Sequence, residues 1–288
     1  MTYNLFDITH RVARQLGDAI SGLATSGAAT TIIDTVRLQD QYPDDWFNLG
    51  TAWIMRDAGG GGAAPEGKYS RITDFTKSSG TVTMDTVTTA VAAGDRYLLA
   101  TAKYPLDLII DKINEALDDT PTRVTDITLW TTAGETTEYN LPDGMLSPEI
   151  DIWIQGQDEA NDNKWTRWND WYIQDPGIGW QKKLVFKTQP PFSYRLKIEY
   201  VTPHPPLYTY TDKLDERVSI NRVVYDAATR CLLWKQDQMG DTDPDLQRRI
   251  DRMEATAERH KWRNPAVQTG EVKLATLGTT DYDVEDED

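Results

Sequence analysis

Cysteine is almost missing from this chain. Cys231 stands alone among 288 residues, so an intrachain disulfide is excluded and a cysteine-based zinc centre has no ligand set. Its neighbours Ala227, Ala228 and Leu232 place it in an apolar helical run, where a thiol behaves as a small buried hydrophobe. Histidine is scarce as well. His10, His204 and His260 lie far apart without neighbouring acid or thiol ligands, so neither a metal set nor a catalytic triad is outlined. No apolar run approaches the roughly eighteen residues of a membrane-spanning helix. The N-terminus lacks the basic-then-apolar pattern of a signal peptide. The protein is therefore expected to be made and kept in a cytoplasm, or built into something there.

Positive charge is also in short supply. Lys and Arg number 30 against 46 Asp and Glu, for a net charge of −16. Such a surface repels phosphate backbones and does not wrap DNA, although a negative wall lets DNA pass without sticking. The many carboxylates offer chance pairs in any fold, so no glycosidase-type acid pair can be singled out. With no phosphate loop or nucleophile elbow either, no enzyme and no cofactor is expected.

What the chain does have is aromatic mass: 10 Trp and 13 Tyr within 39% hydrophobic residues, which marks it as folded. At this length about three quarters of the unfolded surface can be buried, in one or two domains.

Along the chain, helical and strand patterns alternate. Leu5, Ile8, Val12 and Leu16 recur at helical spacing before Gly17, predicting a helix over residues 4–16. The small residues from Gly17 to Ala29 are expected to loosen the chain. Strands are then expected at Thr30–Leu38, Thr51–Arg56, Tyr69–Phe75, Thr81–Asp85 and Arg96–Ala100, separated by turn residues, as in a small barrel or sandwich. Gly59–Gly62 lacks the Gly-Lys-Ser/Thr and helix of a phosphate loop and reads as a hairpin tip.

Pro105 opens a second helix, whose stripe is Leu106, Ile109, Ile110, Ile113 and Leu117. A second β region follows, with strands at Val124–Thr131, Thr137–Leu141, Glu149–Ile154, Trp165–Gln174, Lys182–Lys187 and Tyr194–Val201. Pro203, Pro205 and Pro206 force an extended linker. Ile220, Val223, Val224, Ala227, Cys231 and Trp234 mark a third helix; Asp243-Pro244 starts a fourth, with Leu246, Ile250, Met253 and Ala257 as its seam. The resulting organisation is an N-terminal helix (1–23), a peripheral β module (24–103), a bundle helix (104–122), a second β module (123–206), a helical hairpin (207–265) and an extended acidic arm (266–288). The expected class is α+β, a central helical bundle with two inserted antiparallel β modules.

Two regions are candidates for binding. Trp153, Trp165, Trp168, Trp171, Tyr172 and Trp180 form a dense aromatic group, either a sugar-stacking platform or the filling of a core or subunit interface. Trp165, Trp168, Trp171 and Tyr172 are its candidate contacts with another subunit or a partner protein. The arm carries Val272, Leu274 and Leu277, then Tyr282 and Asp283 within its acidic end. Such a segment can lie in a partner's groove or extend its sheet.

The layout resembles head–tail adaptor (neck, head-completion, connector) proteins of tailed bacteriophages. The first match is Ile33-Asp34-Thr35, Trp46, Gly50 to Trp53, Arg71-Ile72-Thr73-Asp74, Gly80-Thr81-Val82-Thr83 and Ala93-Gly94-Asp95-Arg96-Tyr97. The second comprises Ile113 to Leu117, Glu138-Tyr139-Asn140-Leu141-Pro142, Leu184-Val185-Phe186, Ile198-Glu199-Tyr200 with His204, and the terminal helical pair. The resemblance implies a non-enzymatic virion protein, localised at the head–tail junction. It implies a closed ring, typically a dodecamer, docked beneath the portal protein and above a downstream neck or tail protein, with DNA passing through unread. The arm, with Val272, Leu274, Leu277, Tyr282 and Asp283, would then reach along the portal. Other readings are a carbohydrate- or receptor-binding tail component and a capsid cement protein.

Overall fold

The computed structural model describes residues 3–130, 138–141, 150–155, 165–174, 182–188, 195–239 and 243–263. The chain opens with α1 (Leu5–Leu16), capped reciprocally: the Asp7 N–H donates to the Asn4 side chain at 3.0 Å, and the Asn4 N–H to the Asp7 carboxylate at 3.2 Å. Gly17, at φ 71°, ends it in the left-handed conformation that glycine adopts without penalty.

Seven strands follow: β1 (Ala19–Leu23), β2 (Ser26–Ala28), β3 (Thr31–Ile33), β4 (Thr51–Arg56), β5 (Tyr69–Thr76), β6 (Thr81–Met84) and β7 (Arg96–Ala100). They form one antiparallel sheet in the order β1-β7-β4-β5-β6-β3-β2. Its two outermost strands are consecutive in sequence, so the chain crosses from one edge to the other through Ala24 and Thr25. Ala24 donates to Asp95 O at 2.8 Å and Thr25 to Ile33 O at 2.7 Å. That seam closes the sheet into a small barrel.

Barrel strands β4 and β7 alternate between two hydrophobic cores. Ala52, Ile54, Tyr97 and Leu99 point inward to a filling that includes Phe47, Phe75, Ile72 and Val82. Trp53, Leu98 and Ala100 point outward, into the core of the helices. Buried on both faces, these strands read as nearly continuous apolar runs.

After the barrel come α2 (Leu106–Asp118), β8 (Pro121–Trp130), β9 (Glu138–Asn140), β10 (Asp151–Gln155), β11 (Thr166–Arg167), β12 (Trp171–Gln174), β13 (Lys183–Phe186) and β14 (Arg195–Pro203). Strands β11-β10-β14-β8 make one antiparallel sheet and β12-β13-β9 another. Ile152, Ile154, Leu196 and Ile198 from the first share a core with Leu184 and Phe186 from the second, so the two sheets form a sandwich.

The chain then enters α3 (Ile220–Met239) and α4 (Pro244–Arg263). Helix α3 packs against α1, α2 and α4, and Val223, Val224, Ala227, Ala228, Cys231 and Leu232 are all buried. Asp243 caps α4, its side chain accepting the Asp245 N–H at 2.9 Å.

The expected central helical bundle with two inserted β modules is overturned. The described residues are mostly β, with fourteen strands in three antiparallel sheets and four helices. The helices complete no core of their own, since Trp53, Leu98 and Ala100 of the barrel sit among their buried residues. Even the start of α2 depends on the barrel: the Leu106 N–H donates to Thr51 Oγ1 at 2.8 Å. A one-sided apolar stripe such as that of α2 is satisfied as well by a sheet as by another helix.

The stretch expected to loosen the chain also differs, because it supplies β1 and β2. Its small residues serve close packing. A side chain at Gly22 would meet the Tyr97 hydroxyl at 2.5 Å and the Asp34 carboxylate at 2.6 Å.

Candidate functional site

The aromatic group divides once folded. Trp168 and Trp171 pack against the sandwich core, and the Trp171 indole N–H donates to Trp168 O at 2.9 Å. Tyr172 alternates to the other face of β12 and is exposed. Trp165 stays half-buried beside β10 and β14. The four candidate residues therefore make no single coplanar platform. Trp180 lies outside the described residues.

What brings Trp165 and Trp153 into one group is a cation they share. Lys197 Nζ stands 4.7 Å from the Trp153 ring centroid and 5.4 Å from that of Trp165, within cation–π range of both. Register explains the meeting: Trp153 pairs with Lys197 on β14 and with Arg167 on β11. All three side chains thus project from the outer face of the four-stranded sheet, opposite the Ile152–Ile198 core face.

Charge fills the rest of that face. Asp151 and Glu199 are directly opposed on neighbouring strands, an unfavourable pair if left alone. Arg123 Nη2 bridges them, at 2.5 Å to Asp151 and 2.9 Å to Glu199. Arg167 also contacts Asp151, and Lys197 pairs with Glu199 at 3.0 Å. The result is a lattice of alternating charges across four strands, with two indoles at one side.

The helices carry a second network. Arg230 of α3 contacts Asp119 beyond α2 and lies 3.7 Å from Glu115 and 3.6 Å from Asp226. Lys261 of α4 reaches Asp226 at 3.6 Å. Ile109, Ile113, Val223, Val224 and Leu232 are buried inside the single chain and present nothing to a neighbouring subunit. What the helices do expose is Leu233, Met239 and Trp262, the last 84% exposed.

The barrel has an exposed apolar surface of its own. Leu23 and Val36, the latter 78% exposed, flank a cleft of about 740 Å³ whose floor includes Asp34 and Arg37. Asp34 is buried and fully engaged. It accepts the Tyr97 hydroxyl at 2.6 Å and the N–H groups of Val36 and Arg37 at 2.9 Å each, and burial followed by this bond pushes the Tyr97 phenol far up.

The remaining titratable candidates have structural partners. His204 is buried; its Nδ1 faces Pro205 O at 2.6 Å and its Nε2 accepts the Asp215 N–H at 3.0 Å. Burial pushes it below its ordinary range, so it ties the proline linker to the approach of α3 as a neutral ring. His260 stacks on Tyr225 with centroids 5.2 Å apart, and His10 lies 3.4 Å from Ser21 Oγ. Burial raises the Cys231 thiol to about 12. Gly59–Gly62 lies in the β4–β5 connection, and nothing stands within 4 Å of a side chain built at Gly60, Gly61 or Gly62.

Among the described residues no group of three or more His, Cys, Asp or Glu is placed to hold a metal ion, and no helix is long and apolar enough to cross a membrane. The arm residues Val272, Leu274, Leu277, Tyr282 and Asp283 lie outside the described residues. Sequence reasoning missed Lys197 and the Arg123 bridge, although the alternation Leu196-Lys197-Ile198-Glu199 already places both charges on one strand face. No family model, curated protein or solved structure matches this chain.

Proposed function

We propose that this protein is a non-enzymatic structural subunit of a virion, forming the head–tail adaptor ring between the portal protein and a downstream neck or tail protein. The observation that carries this reading is that one chain exposes large apolar side chains in two separate regions. Leu23 and Val36 stand on the barrel; Leu233 and Met239 stand on α3, with Trp262 at the opposite end of the helical pair on α4. A ring built from head-to-tail contacts needs two different surfaces per subunit, one for each neighbour. In this reading the ring is dodecameric, and residues 266–288, through Val272, Leu274, Leu277, Tyr282 and Asp283, reach the portal. The net charge of −16 keeps DNA sliding through the channel without binding.

The order of strand-rich and helical modules described above supports the same reading. The test is the mass of the purified chain alone and mixed with its portal, followed by cryo-electron imaging. A closed ring seated on the portal is expected. A monomer that ignores the portal overturns the proposal.

One observation favours a second reading, a carbohydrate- or receptor-binding tail component. Trp153 and Trp165, with Lys197 over both rings, form a small aromatic surface on the outer face of the sandwich. Glycan-array binding that is lost in Trp165→Ala would establish that reading in place of the adaptor.

A further inference from the structure

Where the N-terminus of α1 meets the barrel there is a cleft of about 460 Å³ that holds three cations, Arg56, Arg96 and Lys213. Arg56 ends β4 and Arg96 begins β7, and the two are register partners across the antiparallel pair. Like charges set directly opposite each other are destabilising. On the sandwich the equivalent conflict between Asp151 and Glu199 is relieved by Arg123. Here nothing relieves it: none of the three cations has an ion-pair partner among the described residues, in a chain with 46 carboxylates. The two acids of the cleft are turned to backbone, Asp7 accepting the Asn4 N–H and Glu66 the Asp57 N–H. The positive field reaches beyond the cleft. After burial, Arg96 and Arg14 are the largest causes holding His10 below its ordinary value, against an opposing effect of Asp7.

We infer that this cleft binds a carboxylate-rich peptide, and that the peptide is the acidic segment of this chain, residues 281–288, from the same copy or a neighbouring one. Six of its eight residues are Asp or Glu, and arginine forks bind carboxylates in paired hydrogen bonds. Position favours the same occupant. The last turns of α4 lie against the start of α3, with His260 on Tyr225 and Lys261 near Asp226. The cleft sits beside the segment leading into α3, where Lys213 bridges to Asn4 and Leu5 donates to Asp212 O. From Arg263 to Asp281 is 18 residues, which extended span roughly 60 Å. A tethered peptide also reaches an effective concentration that a free polyanion lacks, and the net charge of −16 keeps long nucleic acid at a distance. The inference does not rest on the adaptor reading, because it concerns the free chain.

A zero-length carbodiimide cross-link on the full chain, read by peptide mass spectrometry, tests it. A link from Lys213 Nζ to a carboxylate within 281–288 is expected. Its yield should fall about tenfold in the double variant Arg56→Glu, Arg96→Glu, which keeps Lys213 but reverses the field around it. Both substituted side chains are exposed, so an unchanged melting temperature confirms that the fold is retained. Mixing 15N-labelled and unlabelled chains separates links within one copy from links between two; either result supports the inference. Absence of the Lys213 link overturns it, as does a link whose yield the charge reversal leaves unchanged. If instead the full chain binds inorganic phosphate or a short DNA duplex through Arg56 and Arg96 with no Lys213 link, the cleft is a phosphate site and the tail reading falls.

Discussion

In the barrel, β4 and β7 are buried on both faces; in the sandwich, β10 and β14 bury one face and give the other to charge. Ala52-Trp53-Ile54 and Tyr97-Leu98-Leu99-Ala100 are all buried, because helices cover the outside of the sheet that the barrel fills from within. Leu196 and Ile198 are buried while Lys197 and Glu199 carry ion pairs. The difference shows where each region keeps its polar groups. The barrel hides a few, fully bonded, such as Asp34 with Tyr97. The sandwich displays many, each sharing its partner with another. Loss of one group should therefore be felt sharply in the barrel and diffusely in the sandwich.

The severest test of that contrast is Trp53→Ala. Trp53 is 1% exposed, has its ring centroid 4.2 Å from that of Phe6 of α1 in a tilted contact, and belongs to the core shared by barrel and helices. A loss of about 3–5 kcal/mol is expected in denaturant unfolding. Tyr97→Phe comes next, because it deprives the buried Asp34 carboxylate of its hydroxyl donor. It should cost about 1–3 kcal/mol by the same measurement.

The sandwich counterpart, Arg123→Ala, leaves Asp151 facing Glu199. It should cost only about 1 kcal/mol, and the deficit should shrink in 1 M salt, where the screening length is about 3 Å. A cost above that of Tyr97→Phe would break the comparison. The smallest effect belongs to Leu49, which is exposed yet held at φ 64°, a left-handed conformation that disfavours a branched side chain. Leu49→Gly should stabilise by about 0.5 kcal/mol, the relief of strain exceeding the added freedom of the unfolded chain. A thermal melt reads it directly.

Local structure was legible in the sequence wherever a residue's role is decided by its neighbours along the chain. The helix expected over 4–16 is α1, Leu5–Leu16, because cap, stripe and terminal glycine lie within one short segment. Thr51–Arg56 and Arg96–Ala100 are β4 and β7 as expected. The strand expected over Thr30–Leu38 stops at Ile33, because Asp34 turns the backbone by accepting the N–H groups of Val36 and Arg37. What failed depends on distant partners. The small residues from Gly17 to Ala29 supply strands, with Gly22 close against Tyr97 and Asp34, which no local pattern reveals. The helical stripes were assigned to each other although Trp53, Leu98 and Ala100 complete their core. Among the candidate contacts, Trp165 came to lie with Trp153 and Lys197 through strand register, which pairs residues more than thirty positions apart.

The way the barrel closes has a consequence for self-association. Antiparallel sheets aggregate through unpaired backbone at their edges, and β1 and β2 are guarded there. Arg37 donates to Ser21 O at 2.6 Å on β1, and the Val91 N–H donates to Ala28 O at 3.2 Å on β2. In the sandwich, by contrast, β8, β11, β9 and β12 each have a described strand on one side only. A strand approaching the barrel therefore meets edges whose backbone groups are already engaged.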